Sequence, residues 1–290
     1  MSAKQLRFIV PDDCGGMKAR TFLRKRCKVS ARIITLLKRE KSGILRNGKN
    51  LKTIDILHSG DVIVLNLPED KNEITPIEGD LNIIYEDEYI IAIDKPFGMP
   101  VHPTKVHQED TLANILKYLQ DKKGESYTFR AVNRLDKDTS GVVLIAKDKY
   151  TATALQNNVH KSYIAVCEGY IENSGTIDKP IGLLKGHTVQ RAVIKEGKPA
   201  VTHYTPLKTD GIHTMLKITL ETGRTHQIRC HMASIGYPLA GDDMYGGSLE
   251  FISRQALHCA AVELIHPITN KTINIKTEIP ADILTIIEEP

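Results

Sequence analysis

The chain has 290 residues, 41% hydrophobic and 26% charged, a globular composition with room for one large core or two domains. No run of about 18 apolar residues occurs, and the opening MSAKQLRFIVPDD lacks the apolar stretch of a secretory signal, so a cytoplasmic protein without a membrane span is expected. Net charge is +4, but residues 1–68 hold fifteen basic against five acidic residues, a +10 segment before a −6 remainder. That split points to a polyanion-binding module joined to a second unit.

In chain order, Lys18 to Arg26 reads as a short helix with an apolar stripe of Ala19, Phe22 and Leu23. Ser30 is suited to cap a second helix running through Arg39, with Ile33, Ile34 and Leu37 inward and Arg32, Lys38 and Arg39 outward. Asn47-Gly48 is a hairpin-turn signal between short strands at Ile44–Arg46 and Lys49–Leu51, and Val62–Leu67 is a further strand. The order VSARIITLLKREKSGILRNGK…LHSGDVIVL resembles an S4 domain over about residues 15–67. The resemblance implies RNA binding, with Arg20, Arg24, Lys25, Arg32, Lys38 and Arg39 as phosphate contacts.

Residues 69–80 are polar and aperiodic and read as a linker. Beyond it, strands are expected at Ile83–Tyr85, Tyr89–Asp94, Val142–Ala146, Tyr163–Tyr170, Ala200–Leu207, Thr214–Leu220, Ala256–Ile265 and Thr272–Lys276. Helices are expected at Leu112–Gln120, Thr151–Asn157, Thr225–Ile235 and Ala281–Ile287. Strands dominate without regular alternation, so residues 81–290 read as an α+β unit on a mixed or antiparallel sheet. Cys14, Cys27, Cys167, Cys230 and Cys259 are odd in number with no C-x-x-C, so reduced thiols and no metal site are expected.

Four segments carry chemistry. In 133-NRLDKDTSG-141, an extended backbone puts Arg134 and Asp136 on one side and Leu135 on the other. Taken alone, this is most simply an ion pair beside a turn. In 222-TGRTHQIRCHM-232, Arg224, His226, Arg229 and His231 crowd the start of a helix, an arrangement that wants an anionic neighbour. The stretch 95-KPFGMPVHP-103 is a stiff loop after a strand, and Tyr163 opens the strand of 161-KSYIAVCEG-169.

Together, in this order, the four segments resemble the RluA-type family of pseudouridine synthases over about residues 80–290. The resemblance implies isomerisation of uridine to pseudouridine in RNA without cofactor or metal, by a monomer. Large-subunit rRNA is favoured over tRNA because of the S4-like module. It implies Asp136 as the essential carboxylate at the sugar, and Arg229 as the guanidinium that keeps it charged. Tyr163 would stack on the uracil, its hydroxyl helping to remove the C5 proton, and Arg134 would fill the space of the flipped base. Arg224 and His226 complete the substrate-binding set. Asn133 stands where most members have His, which bears on how the loop packs. Two other readings remain: an RNA-binding protein without turnover, and a hydrolase. The latter needs a second carboxylate, and the candidates Asp242 and Asp243 sit in a Gly-rich stretch where they are expected to serve turns.

Overall fold

A computed structural model describes residues 4–67, 74–104, 106–156 and 158–288. The N-terminal part carries β1 (Lys4–Ile9), α1 (Ala19–Lys25), α2 (Ala31–Leu37), β2 (Ile44–Arg46), β3 (Lys49–Asn50) and β4 (Val62–Leu67). Ser30 caps α2: its Oγ accepts from the Ile33 N–H at 3.2 Å, a contact worth about 1 kcal/mol. The helix stops at Leu37, two residues short of expectation, so Lys38 and Arg39 lie in the turn beyond it. Asn47 and Gly48, both at positive φ, turn β2 into β3.

The sequence reading assigned no strand at β1. It pairs antiparallel with β4 from Lys4↔Leu67 to Ile9↔Val62, and the sheet runs β1-β4-β2-β3. Both helices press Phe22, Leu23, Ile33, Ile34 and Leu37 onto Leu6, Ile63 and Leu65. Tyr150, from the larger body, joins this core and meets the Phe8 ring edge to face at 5.9 Å. Burying such a ring contributes about 1.5–3 kcal/mol, which fastens the small sheet to its neighbour.

Of the expected linker, residues 69–73 lie outside the described residues. Residues 74–80 form no regular element, yet they are packed rather than free. The Ile77 N–H donates to Asn114 O at 3.2 Å, and Asn114 Nδ2 donates to Thr75 O at 2.8 Å.

The larger body follows with β5 (Asn82–Glu86), β6 (Ile90–Lys95), α3 (Leu112–Lys123), β7 (Ser140–Ala146), α4 (Lys149–Leu155) and β8 (Val159–Glu168). Next come β9 (Gly175–Asp178), β10 (Ile181–Leu183), β11 (Arg191–Val193), β12 (Val201–Thr209) and β13 (His213–Leu220). It closes with α5 (Gln227–Ser234), β14 (Leu257–Ile265), β15 (Thr272–Lys276) and α6 (Ala281–Glu288). Among the described residues, nine strands form one sheet in the order β5-β6-β7-β14-β8-β13-β12-β9, with β15 also on β14. β7 and β14 run parallel at His258↔Ser140 and Cys259↔Gly141, and the other pairs are antiparallel. The sheet is therefore mixed, in an α+β body, as the strand-rich pattern implied.

β9, β10 and β11 were not expected; they are short and weakly apolar. β10 and β11 form a separate two-stranded ribbon. β7 begins at Ser140, two residues before the expected strand start at Val142. Gly141 has φ +109°, and a Cβ there would stand 2.3 Å from Cys259 O, so the close β7–β14 crossing requires glycine. All five cysteines are free and buried. Among the described residues, no helix is long and apolar enough to cross a membrane.

Candidate active site

Asp136 lies in the loop that feeds β7, and three neighbours hold that loop from different sides. Asn133 is buried and acts as one more peptide unit of the β7 ladder: its Nδ2 donates to Val142 O at 2.9 Å, and its Oδ1 accepts from the Leu144 N–H at 2.8 Å. Lys95 is fully buried and donates to Pro96 O, Met99 O and Lys137 O at 2.8–2.9 Å. Three carbonyls match the three protons of an ammonium, although burial drags its pKa down to about 7 against the pull of Asp138 and Asp136. Arg254 forks onto Asp282 at 2.7 and 2.9 Å and reaches Asp138 O at 3.3 Å. Lys95 and Arg254 clamp the two carbonyls that follow Asp136.

Leu135 is buried and Arg134 exposed, so the loop alternates as an extended segment should. The Asp136 side chain is 27% exposed, at the mouth of a pocket of about 60 Å³. Leu135, Tyr163, Leu220 and Leu257 give this pocket an apolar wall, and Arg134, Asp136, Arg224, His226 and Arg229 give it a polar rim. The six side chains named from sequence as catalytic or substrate-binding thus line one cavity, though they come from the loop before β7, from β8, and from the turn and first residues of α5.

The helix itself begins at Gln227 rather than Thr225. His226 precedes it with φ +54°, a left-handed conformation uncommon for a residue with a side chain. Gln227 spans the entry: its Oε1 accepts from the Arg224 N–H and its Nε2 donates to Val201 O, both at 2.9 Å. His231, expected in the charged cluster, is instead buried between Thr202 Oγ1 and Lys179 O at 2.9 Å each, away from the pocket.

Arg229 carries the largest surprise. Its Nε and Nη2 bind both oxygens of Asp242 at 2.7 Å, and its Nη1 reaches Asp136 Oδ2 at 3.4 Å. Asp242 serves the turn as expected, its carbonyl accepting from the Tyr245 and Gly247 N–H groups, but its buried side chain also holds the guanidinium, which disfavours it as a water-activating carboxylate. Burial lowers the Arg229 pKa, but the Asp242 hydrogen bonds and the two carboxylate charges outweigh it and raise it overall. The Tyr245 ring stacks under Arg229 at 5.1 Å.

His226 sits 3.9 Å from Asp136 Oδ2 through Nε2, and its Nδ1 meets the Tyr245 hydroxyl at 3.1 Å. Burial, with Arg229 beside it, lowers its pKa despite Asp136, so the imidazole is neutral at neutral pH. Tyr163 is buried against Cys259, and burial pushes its phenol well above its ordinary range. Its hydroxyl stays protonated, and its ring forms part of the pocket wall.

The basic residues named in the N-terminal part do not converge. All six are exposed. Arg32 and Arg39 line a groove of about 630 Å³ that continues onto the larger body at Arg130 and Lys149. Lys38 faces a separate hollow with Lys41 and Lys52. Arg20, Arg24 and Lys25, on α1, line neither. Sequence reading missed Lys95, Asp242, Tyr245 and Arg254 as supports. A buried charge is visible only once its partners are placed.

The family model described as RNA pseudouridylate synthase matches residues 89–234. The chain is 40% identical over 264 residues to ribosomal large subunit pseudouridine synthase D of Pseudomonas aeruginosa, covering 83% of this chain and 82% of that protein. It is 39% identical over 236 residues to the uncharacterized RNA pseudouridine synthase YhcT of Bacillus subtilis, covering 78% of each. The solved structure of human RNA pseudouridylate synthase domain containing 1 superposes with a TM-score of 0.57 at 25% identity, over 69% of this chain and 83% of that one. The family match takes in Asp136, Tyr163 and Arg229, and the chain belongs to the RNA pseudouridylate synthase family.

Proposed function

We propose that the protein isomerises uridine to pseudouridine in large-subunit ribosomal RNA, with Asp136 as the group that acts at the ribose. The N1–C1′ bond breaks, the uracil turns while held, C5 bonds to C1′, and the proton lost from C5 is balanced by the one N1 gains. The base is the same atoms before and after, so the site must hold it and keep water away rather than activate water. The observation that carries this reading is the single exposed carboxylate at the pocket mouth, Asp136, facing an apolar wall that includes Tyr163. The second carboxylate, Asp242, is tied to Arg229 and buried, which disfavours hydrolysis by a carboxylate pair.

Within the pocket, Arg229 supplies positive charge to Asp136 while Asp242 keeps the guanidinium in place. Tyr163 offers its neutral ring for stacking on the uracil. Arg134, exposed at the rim, occupies the space the extruded nucleotide leaves in the RNA, and Arg224 and His226 contact the substrate. Ribosomal RNA is favoured because relatives such as those of Pseudomonas aeruginosa and Escherichia coli are named as synthases of the ribosomal large subunit.

Residues 1–68 act as an S4-like RNA-binding module. Its phosphate contacts centre on Arg32 and Arg39, the pair whose groove runs on to Arg130 and Lys149. Replacing Arg32 and Arg39 by Gln lowers the slope of log affinity against log salt by about 0.7–0.9 per lost contact; an unchanged slope rejects the module's role.

The test of the reaction is Asp136→Asn. Pseudouridine mapping of ribosomal RNA from cells carrying the variant shows the target position unmodified, while RNA affinity stays within a few-fold of the parent. Modification confined to transfer RNA rejects the ribosomal assignment, and full turnover by Asp136→Asn rejects the mechanism.

A further inference from the structure

Residues 254–259, which lead into β14, meet the loop that carries Asp136 one residue after another. Arg254 Nη1 donates to Asp138 O at 3.3 Å. Gln255 Nε2 donates to Thr139 Oγ1 at 3.2 Å. His258 Nδ1 meets Ser140 Oγ at 2.9 Å, and Cys259 pairs with Gly141 in the parallel ladder. Arg254, Gln255 and His258 are buried, as are Thr139 and Ser140. The turn they grip closes on Asp136 itself, because the Thr139 N–H donates to Asp136 O at 3.1 Å.

The same strip reaches the rest of the site. Leu257 lines the pocket, as does Thr139. The Tyr163 hydroxyl hydrogen-bonds the Cys259 thiol. The Arg254 guanidinium lies 4.7 Å from the Phe97 ring centre, and it takes both oxygens of Asp282, in the first turn of α6, at 2.7 and 2.9 Å.

Every residue offers a carbonyl, so the Lys95 clamp holds the loop without choosing which residue sits in it. Hydroxyls are different. Between Asn133 and Gly141 they occur only on Thr139 and Ser140, three and four residues beyond Asp136. Bonds to those two side chains therefore select one register, and a slip of one residue would turn an extended Asp136 to the opposite side. We propose that Gln255, His258 and, held by Asp282, Arg254 are positioning residues of the isomerisation, setting the register of residues 138–140 and with it the direction of the Asp136 carboxylate. The inference rests on the proposed reaction and adds α6 to what aims the carboxylate, although none of the described residues of α6 lines the pocket.

The test is single-turnover conversion of unmodified large-subunit ribosomal RNA, transcribed in vitro, by the full chain at several protein concentrations. Asp282→Asn and Gln255→Met each lower the saturating rate roughly tenfold, the effect of a small misplacement, and leave the half-saturating concentration within about twofold. Thermal melting checks that each variant is folded at the assay temperature. Thr285→Ala, exposed on the same helix, leaves the rate at the parent value. His258→Gln keeps a partner for Ser140 and retains more rate than His258→Leu. Thr139→Val joined to Gln255→Met is no slower than the slower single variant, because both remove the same hydrogen bond.

Parent rates in folded Asp282→Asn and Gln255→Met, a loss carried by the half-saturating concentration alone, or losses that multiply in the double variant overturn the proposal. Hydrogen exchange reads the loop without substrate: the Thr139 amide exchanges faster in both variants, while the amides of Ile90–Lys95 are unchanged. Unaltered exchange at Thr139 rejects the positioning role. A parent chain that makes no pseudouridine defeats the proposed reaction, and the exchange result then decides the register of the loop on its own.

Discussion

Asp242 grips Arg229 with two hydrogen bonds of 2.7 Å at near-complete burial, whereas Asp136 takes one contact from the same guanidinium at 3.4 Å. Arg229 is thus matched mainly by Asp242, and the three groups together retain one negative charge, which sits at the pocket mouth. A tightly forked Arg229–Asp136 pair would hold the carboxylate away from substrate. The longer contact leaves it able to reach a ribose while still screened.

Asp242→Ala strands the guanidinium in a buried site and is expected to cost about 3–5 kcal/mol, read by denaturant unfolding. Single-turnover rate should fall about a hundredfold from misplacement of Arg229, with less change in RNA affinity. A variant as fast as the parent would show that Asp242 does not position the site.

Lys95 holds its three carbonyls from inside the protein. Lys95→Met fills similar volume but leaves those oxygens unsatisfied, and we expect a loss of about 2–4 kcal/mol together with slowed turnover. Protease cleavage near residues 96–99 and 137 should increase selectively in the variant; an unchanged digestion pattern would rule out the clamp.

Asn133 substitutes for a backbone unit along β7. Asn133→Ala orphans the Leu144 N–H, a cost of about 1–3 kcal/mol. Asn133→His, the residue usual in the resembling family, keeps one donor and one acceptor and should retain more activity than Ala. Equal activity of the two variants would deny the side chain its part in seating the loop.

The acid side of the stability curve should depend on His258. Burial drags its pKa down to about 4, against Asp94 and Asp282 and with Arg254. Because the unfolded imidazole titrates near about 6.5, the unfolded chain takes up the proton first as pH falls. Stability is therefore complete above about 6.5 and lost progressively down to about 4, by about 3 kcal/mol from this residue. Burial shifts His102, His226 and His231 in the same direction. His258→Gln keeps a partner for Ser140 and should flatten the unfolding midpoint across that window; an identical pH profile would contradict the assignment.

Local chemistry was readable where it is self-contained. Ser30 capping α2 and Asn47-Gly48 reversing the chain depend on neighbours a few residues away, and both were legible. β1 was not, because its six residues become a strand only by pairing with β4, nearly sixty residues later. Asp242 was legible as a turn residue from its Gly-rich surroundings, but its grip on Arg229 was not. Gly241 is pressed on the chain at Arg254, where a Cβ would stand 2.0 Å from a carbonyl oxygen. The six pocket residues could be named from motif order, but the sharing of Arg229 between two carboxylates is a property of packing.

β14 lies between β7 and β8, so among the described residues the strand after Asp136 and the strand that carries Tyr163 meet in the sheet through residues 257–265. Every pocket side chain of the rim is already synthesised when the chain reaches Asp242, yet the seam that brings the two halves together is still to come. On a translating ribosome, where chains grow at about 5–20 residues per second, the strand that closes the cavity therefore arrives late. Nascent chains released before Ile265 should bear all the chemistry and none of the geometry.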